Sequence, residues 1–194
     1  MTVPTLDLGP QTRAIARLAD AVTDDQLGNA TPCPELAVHN LLGHLLHLAA
    51  AFRDAARKDL GVTTDTPPTA SVPDIGPGWR EELPKVLDEL AEAWRDPAAW
   101  TGMTRAGGFD MPGEVTAAVA ADELIVHGWD LARATGRPYD PDPAALQVSH
   151  DFLQACVDDP GRGAIFGPVV PVPADAPLLD RTLGLSGRNP RWTP

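Results

Sequence analysis

The chain has 194 residues and a mass of 20.5 kDa, enough to bury a sizeable core in one domain. Its apolar content of 43% and charged content of 22% are those of an ordinary globular protein. A net charge of −12, with no basic stripe or stacking aromatics to offset it, excludes nucleic-acid and anionic-membrane roles. Cys33 and Cys156 form no CxxC pair, so a reducing, cytoplasmic setting is expected rather than a disulfide scaffold. The first ten residues lack a basic stretch followed by an apolar one, so no signal peptide is expected. The apolar run Leu41–Phe52 is too short to span a bilayer.

Taken in order, Ile15, Leu18, Ala19 and Val22 recur at helical spacing and predict a first helix over Pro10–Val22, with the proline at a tolerated first-turn position. Thr31-Pro-Cys-Pro34 reads as an extended connector, because each proline disfavours a helical residue before it. A second helix is expected from near Glu35 to about Leu60, with Val38, Leu41, Leu42, Leu45, Leu48 and Phe52 on its apolar face. Gly61–Gly78, rich in Thr, Pro and Gly, reads as a long surface loop. The third helix is expected over Trp79–Trp94. Residues 96–111 read as a loop able to carry a short hairpin. A fourth helix over Pro112–Thr135 stops at Gly136, and a fifth is expected over residues 143–157. A last short helix near Leu178–Leu185 lies in a proline-dense tail. The expected fold is all-α: a single domain over residues 1–194, with an up-down four-helix bundle at about 10–157 and a short proline-rich extension at about 158–194.

The chemistry concentrates in Asp122-Glu-Leu-Ile-Val-His-Gly-Trp-Asp130. Glu123 and His127, four residues apart, share one helix face and can close on a single divalent ion. Leu124, Val126 and the alanines before them make this helix mostly buried, so the Glu123 carboxylate needs a partner. A third ligand must come from elsewhere, and the second helix offers His44 and His47 among leucines. His44 lies on or beside the buried stripe. His47, one turn on, reads as a further ligand, a supporting group or a rim residue. Asp130 can orient His127 or bind substrate, although an i, i+3 hydrogen bond along one helix looks geometrically awkward. Asp130 and His47 are thus the candidates for positioning or proton transfer. His39 and His150 read as exposed. Cys33 reads as a small buried filler with no nearby cation to make it a reactive thiolate. Nothing supports a nucleophile–His–Asp triad or a phosphate-binding glycine loop.

Thr31-Pro-Cys-Pro34, Val38-His-Asn-Leu-Leu-Gly-His44, Met111-Pro-Gly113, Ile125-Val-His-Gly-Trp-Asp-Leu-Ala-Arg-Ala-Thr-Gly136 and Val172-Pro-Ala-Asp-Ala-Pro177 follow one another as in a large actinobacterial family of DinB-like metal-binding proteins. That family is similar to the N-terminal domain of mycothiol-dependent maleylpyruvate isomerase. The resemblance covers nearly the whole chain. It implies a DinB-like bundle in which His44, rather than His47, joins Glu123 and His127 as metal ligands. Glu35-Leu36-Ala37 replaces the family's usual Gly-Trp-Thr, and His39 stands where arginine is common, so the pocket lining differs.

Three protein ligands leave a position open, as catalytic sites do. The leading expectation is a metal-dependent S-transferase or isomerase. Its nucleophile is a metal-bound thiolate, from mycothiol or a similar thiol, acting on an electrophilic small molecule. The expected ion is Zn²⁺, with Ni²⁺ or Fe²⁺ compatible with the same ligands. A metal-assisted hydrolase using metal-bound hydroxide and a non-enzymatic metal-binding or stress-response module remain as alternatives. A homodimer is compatible with an exposed bundle face.

Overall fold

Pro10 fixes φ in the first turn of helix α1 (Gly9–Asp20), and the Asp7 carboxylate accepts a hydrogen bond from the Gly9 N–H at 2.9 Å. The structure, a computed structural model, describes residues 6–67 and 74–194. Residues 1–5, which bear on the signal-peptide expectation, and 68–73, inside the expected Gly61–Gly78 loop, lie outside the described residues.

Helix α2 (Val38–Arg57) starts three residues later than Glu35, because an isolated bridge between Ala30 and Ala37 holds the preceding segment extended. It ends at Lys58, which takes the left-handed conformation (φ 58°) and donates through Nζ to the carbonyls of Ala99 and Thr101. The expected loop contains a one-turn helix α3 (Val62–Asp65). Helix α4 (Trp79–Ala93) runs through Pro84. The hairpin is present: β1 (Met103–Ala106) and β2 (Phe109–Pro112) pair antiparallel, Ala106 opposite Phe109, around Gly107 and Gly108, both at positive φ. Helix α5 (Gly113–Ala134) follows directly, then α6 (Pro143–Ala155) and α7 (Leu178–Leu185). The fold is therefore mostly helical, as expected, and its one sheet among the described residues is this two-stranded hairpin.

Helix α1 packs on α4 and α5, and α2 packs on the same two, so the four form a bundle with ring order α1–α4–α2–α5. The core is Ile15, Leu41, Leu42, Leu45, Leu83, Leu87, Leu90, Trp94, Leu124 and Leu131, all fully buried. Helix α6 covers α5 on its outer side, and α7 covers α6. Consequently α5 has protein on nearly every side.

Two polar anchors fix this packing. Trp94 donates from Nε1 to the Phe52 carbonyl at 3.1 Å, tying the end of α4 to α2, and Trp100 donates to the Trp94 carbonyl at 2.8 Å. Gln11 on α1 donates to the Leu124 carbonyl (3.1 Å) and to the Tyr139 hydroxyl (2.8 Å), and accepts from the Asp142 N–H (3.0 Å). Tyr139 in turn donates to the Ile125 carbonyl at 2.9 Å and lies so close to Gly128 that a Cβ there would come within 2.6 Å of its oxygen. That contact explains a glycine in the middle of the most buried helix. No helix among the described residues is long and apolar enough to cross a membrane.

Trp94→Ala removes a fully buried indole and leaves the Phe52 carbonyl without that donor. The expected loss is about 3–5 kcal/mol in urea unfolding. A loss below about 1 kcal/mol would show that the α2–α4 seam does not depend on this side chain.

Candidate metal centre

Helix α5 presents Glu123 and His127 toward α2, stacked one turn apart, and α2 presents His44 back at them. Glu123 Oε2 lies 3.1 Å from His127 Nε2 and 3.4 Å from His44 Nε2. The two imidazoles meet edge to face, with centroids 4.6 Å apart. One ligand atom from each of the three residues lies within 4.8 Å of the other two. Their side chains keep 20% (His44), 26% (Glu123) and 11% (His127) of their accessible surface, so the cluster stays partly open to solvent. Two imidazole nitrogens and one carboxylate oxygen form a donor set that can hold a borderline divalent cation.

Behind the cluster, His127 Nδ1 lies 3.0 Å from Asp130 Oδ2. Against the expectation of awkward geometry, the i, i+3 hydrogen bond forms. Helical side chains lean toward the N-terminus, which carries the Asp130 carboxylate back over the preceding turn. Nδ1 therefore holds the proton it donates to Asp130, and Nε2 faces Glu123 and His44. Asp130 is fully buried and takes a forked contact from Arg188, Nε to Oδ1 at 3.1 Å and Nη2 to Oδ2 at 2.9 Å.

Electrostatics follow from this order of charges. Burial opposes ionisation of Glu123, but the His127 and His44 hydrogen bonds outweigh it and hold the carboxyl well below its ordinary range. Burial also disfavours the His127 cation, yet the hydrogen bonds to Asp130 and Glu123 prevail and raise it to about 9. Asp122, on the opposite face of α5, accepts a 2.7 Å hydrogen bond from Ser149 on α6, and burial pushes its carboxyl up to about 7.

His47 lies on the solvent face of α2 and does not join the cluster. Expected to be exposed, His39 and His150 are instead half-buried. His39 Nδ1 donates to the Leu27 carbonyl at 2.9 Å, and His150 Nδ1 pairs with the Thr182 hydroxyl at 3.3 Å. Cys33 is half-buried beside a cation after all, Arg188; burial nonetheless raises its thiol, so it stays protonated. Arg188 and Ser149 are the partners that reading the sequence missed. Only the glycine just before Arg188, closing a short helix, hinted that the chain turns back there.

The profile of the mycothiol maleylpyruvate isomerase N-terminal domain matches residues 8–132, well over half the chain. The chain belongs to that family. The matched segment contains His44, Glu123, His127 and Asp130 and stops before Arg188. Two uncharacterised proteins from strains of Mycobacterium tuberculosis are each 28% identical over 182 residues, covering 92% of this chain and 93% of theirs. A crystal structure of the mycothiol-dependent maleylpyruvate isomerase, in a histidine-to-alanine mutant, superposes with a TM-score of 0.57 at 17% identity. It covers 74% of this chain, which spans 65% of that one, and the likeness is one of fold.

Because His127 is raised, the metal-free site carries a proton on Nε2 up to about pH 9, and a cation binding there must displace it. Apparent zinc affinity is therefore expected to fall about tenfold for each pH unit below that value. Chelator competition between about pH 6.5 and 8.5 measures the slope, and a flat profile would contradict the assignment of the proton to His127.

Proposed function

We propose that this member of the maleylpyruvate isomerase N-terminal domain family holds a divalent metal, most suitably Zn²⁺, on His44, Glu123 and His127. On it rests thiol-dependent S-transferase or isomerase chemistry toward an electrophilic small molecule, with mycothiol or a similar thiol as co-substrate. The observation that carries the reading is the convergence of His44 Nε2, His127 Nε2 and Glu123 Oε2 in a cluster still open to solvent.

The donor chemistry fits such an ion. Glu123 is ionised, His127 is oriented through Nδ1 so that its other nitrogen faces the cluster and would ligate once its proton is displaced, and His44 adds a second imidazole from a separate helix. When bound, the ion supplies a Lewis acid with an open position, which lowers the pKa of a thiol toward ionisation at neutral pH. The protein's own groups do the rest. Asp130 fixes the His127 ring through Nδ1, and Glu123 offsets positive charge in the pocket. Leu124 and Val126, next to the ligands along α5, are buried and keep that part of the helix dry. His47 takes no part in this scheme, because its side chain faces solvent.

Metal content of protein purified without a metal-affinity tag tests the site, with His44→Ala and Glu123→Ala beside the wild type. About one ion per chain in the wild type and none in the variants is expected. The loaded enzyme is then expected to turn over an activated alkene or aryl halide only when mycothiol is supplied, with a loss of at least about 100-fold in either variant. A wild type that refuses zinc sinks the metal site. Hydrolytic turnover without any thiol would replace the thiol reading with metal-assisted hydrolysis.

A further inference from the structure

The segment after α7 reaches Asp130, behind the candidate metal cluster, and lies outside the family match, which ends at residue 132. Helix α7 closes with Gly187 at φ 87°. The Arg188 N–H bonds to the Leu183 carbonyl at 2.8 Å and the Gly187 N–H to that of Gly184 at 3.2 Å. These are the two bonds of a Schellman stop, which needs a residue free to adopt positive φ. A Cβ on Gly187 would also come within 2.9 Å of Gly167 Cα. The turn is thus closed by glycine and by a neighbouring strand of chain, and it aims Arg188 back at α5.

There the arm is held at two points on successive turns of the ligand-bearing helix. Arg188 forks onto Asp130, whose other contact is His127 Nδ1, and Arg133 Nη2 donates to the Trp192 carbonyl at 2.6 Å. Asp130 is fully buried, while the Arg188 side chain keeps 15% of its surface. Besides His127, only Arg188 among the described cationic side chains is paired with this carboxylate.

We infer that the C-terminal arm, residues 178–194, is a latch on the metal site, with Arg188 as a positioning residue that locks Asp130 and hence the ligating face of His127. This rests on the metal reading proposed above. With Arg188 docked, the Asp130 carboxylate is held at two oxygens and cannot rotate away from Nδ1. Without it, the imidazole loses its fixed orientation and the three ligand atoms lose their common focus. Partners behind a metal-bound histidine typically change affinity by about 10–100-fold. Coupling is reciprocal, so bound metal must tighten the arm by the factor by which the arm tightens the metal.

The test uses the full chain as wild type, Arg188→Met and Arg188→Lys. Zinc affinity is read by competition with a chromophoric chelator, and amide exchange over residues 178–194 is read with and without zinc. Arg188→Met is expected to bind zinc about 10–100-fold more weakly while keeping the wild-type helical circular dichroism. Arg188→Lys, which keeps the charge but not the fork, is expected to lose less. In the wild type, zinc is expected to slow exchange at the Arg188 amide by a factor comparable to the affinity lost in Arg188→Met. A folded Arg188→Met that binds zinc within about twofold of wild type overturns the latch while leaving the metal site intact. If Arg188→Met fails to fold, wild-type exchange decides: a zinc-bound protein whose arm exchanges at the metal-free rate overturns the latch as well. A wild type that binds no zinc overturns both the latch and the metal reading.

Discussion

Desolvation of charge on α5 sets the terms for the rest of this molecule. Asp122, Glu123, His127 and Asp130 all lie on a helix packed by α1, α2 and α6, where an unpaired ion costs several kcal/mol. Each has a different remedy. Asp122 has the Ser149 hydroxyl and a carboxyl shifted toward its neutral form. Glu123 has two imidazoles, His127 has two carboxylates, and Asp130 has an imidazole and a guanidinium. The last three remedies join into one line, His44–Glu123–His127–Asp130–Arg188, running from α2 through α5 to the arm after α7. The line explains why α2 must lie against α5 and why the C-terminal segment returns to the bundle after passing over α6.

Much of this was legible in the sequence wherever the signal was periodic or local. The long helices α1, α2, α4 and α5 follow from apolar residues at helical spacing. Glu123 and His127 follow from four-residue spacing alone. Choosing His44 over His47 needed the family resemblance. Physically the choice is a matter of rotation: three residues along a helix turn the side chain away from the buried stripe far enough to leave His47 in solvent. What periodicity could not show was one turn of helix at Val62–Asp65, too short to display a period. Nor could it show contacts made across many residues. Arg188 meets Asp130 from 58 positions away, and Ser149 meets Asp122 from 27. The delayed start of α2 came from the Ala30–Ala37 bridge, a tertiary constraint on residues whose helical propensity is ordinary.

The same line of charges bears on what the site can accept. Leaving His44 aside, the metal-free cluster holds Glu123 and Asp130 as anions against His127 and Arg188 as cations, and these four sum to zero. A divalent ion that enters as His127 loses its proton leaves the set at plus one. In a low-dielectric pocket that surplus is costly, and a single anion arriving from solution removes it. A thiol, with an ordinary pKa near 8.5, can deliver such an anion at neutral pH, and so can water once a bound metal ion lowers its pKa from 15.7 to about 7. On the proposed reading, the arginine that satisfies Asp130 also sets the charge the co-substrate must bring. Were Asp130 unpaired, the loaded site would already be neutral and would have less hold on a thiolate. The arm and the thiol are in this sense two answers to one electrostatic balance. The balance calls for one incoming anion, and whether turnover requires a thiol decides which anion supplies it.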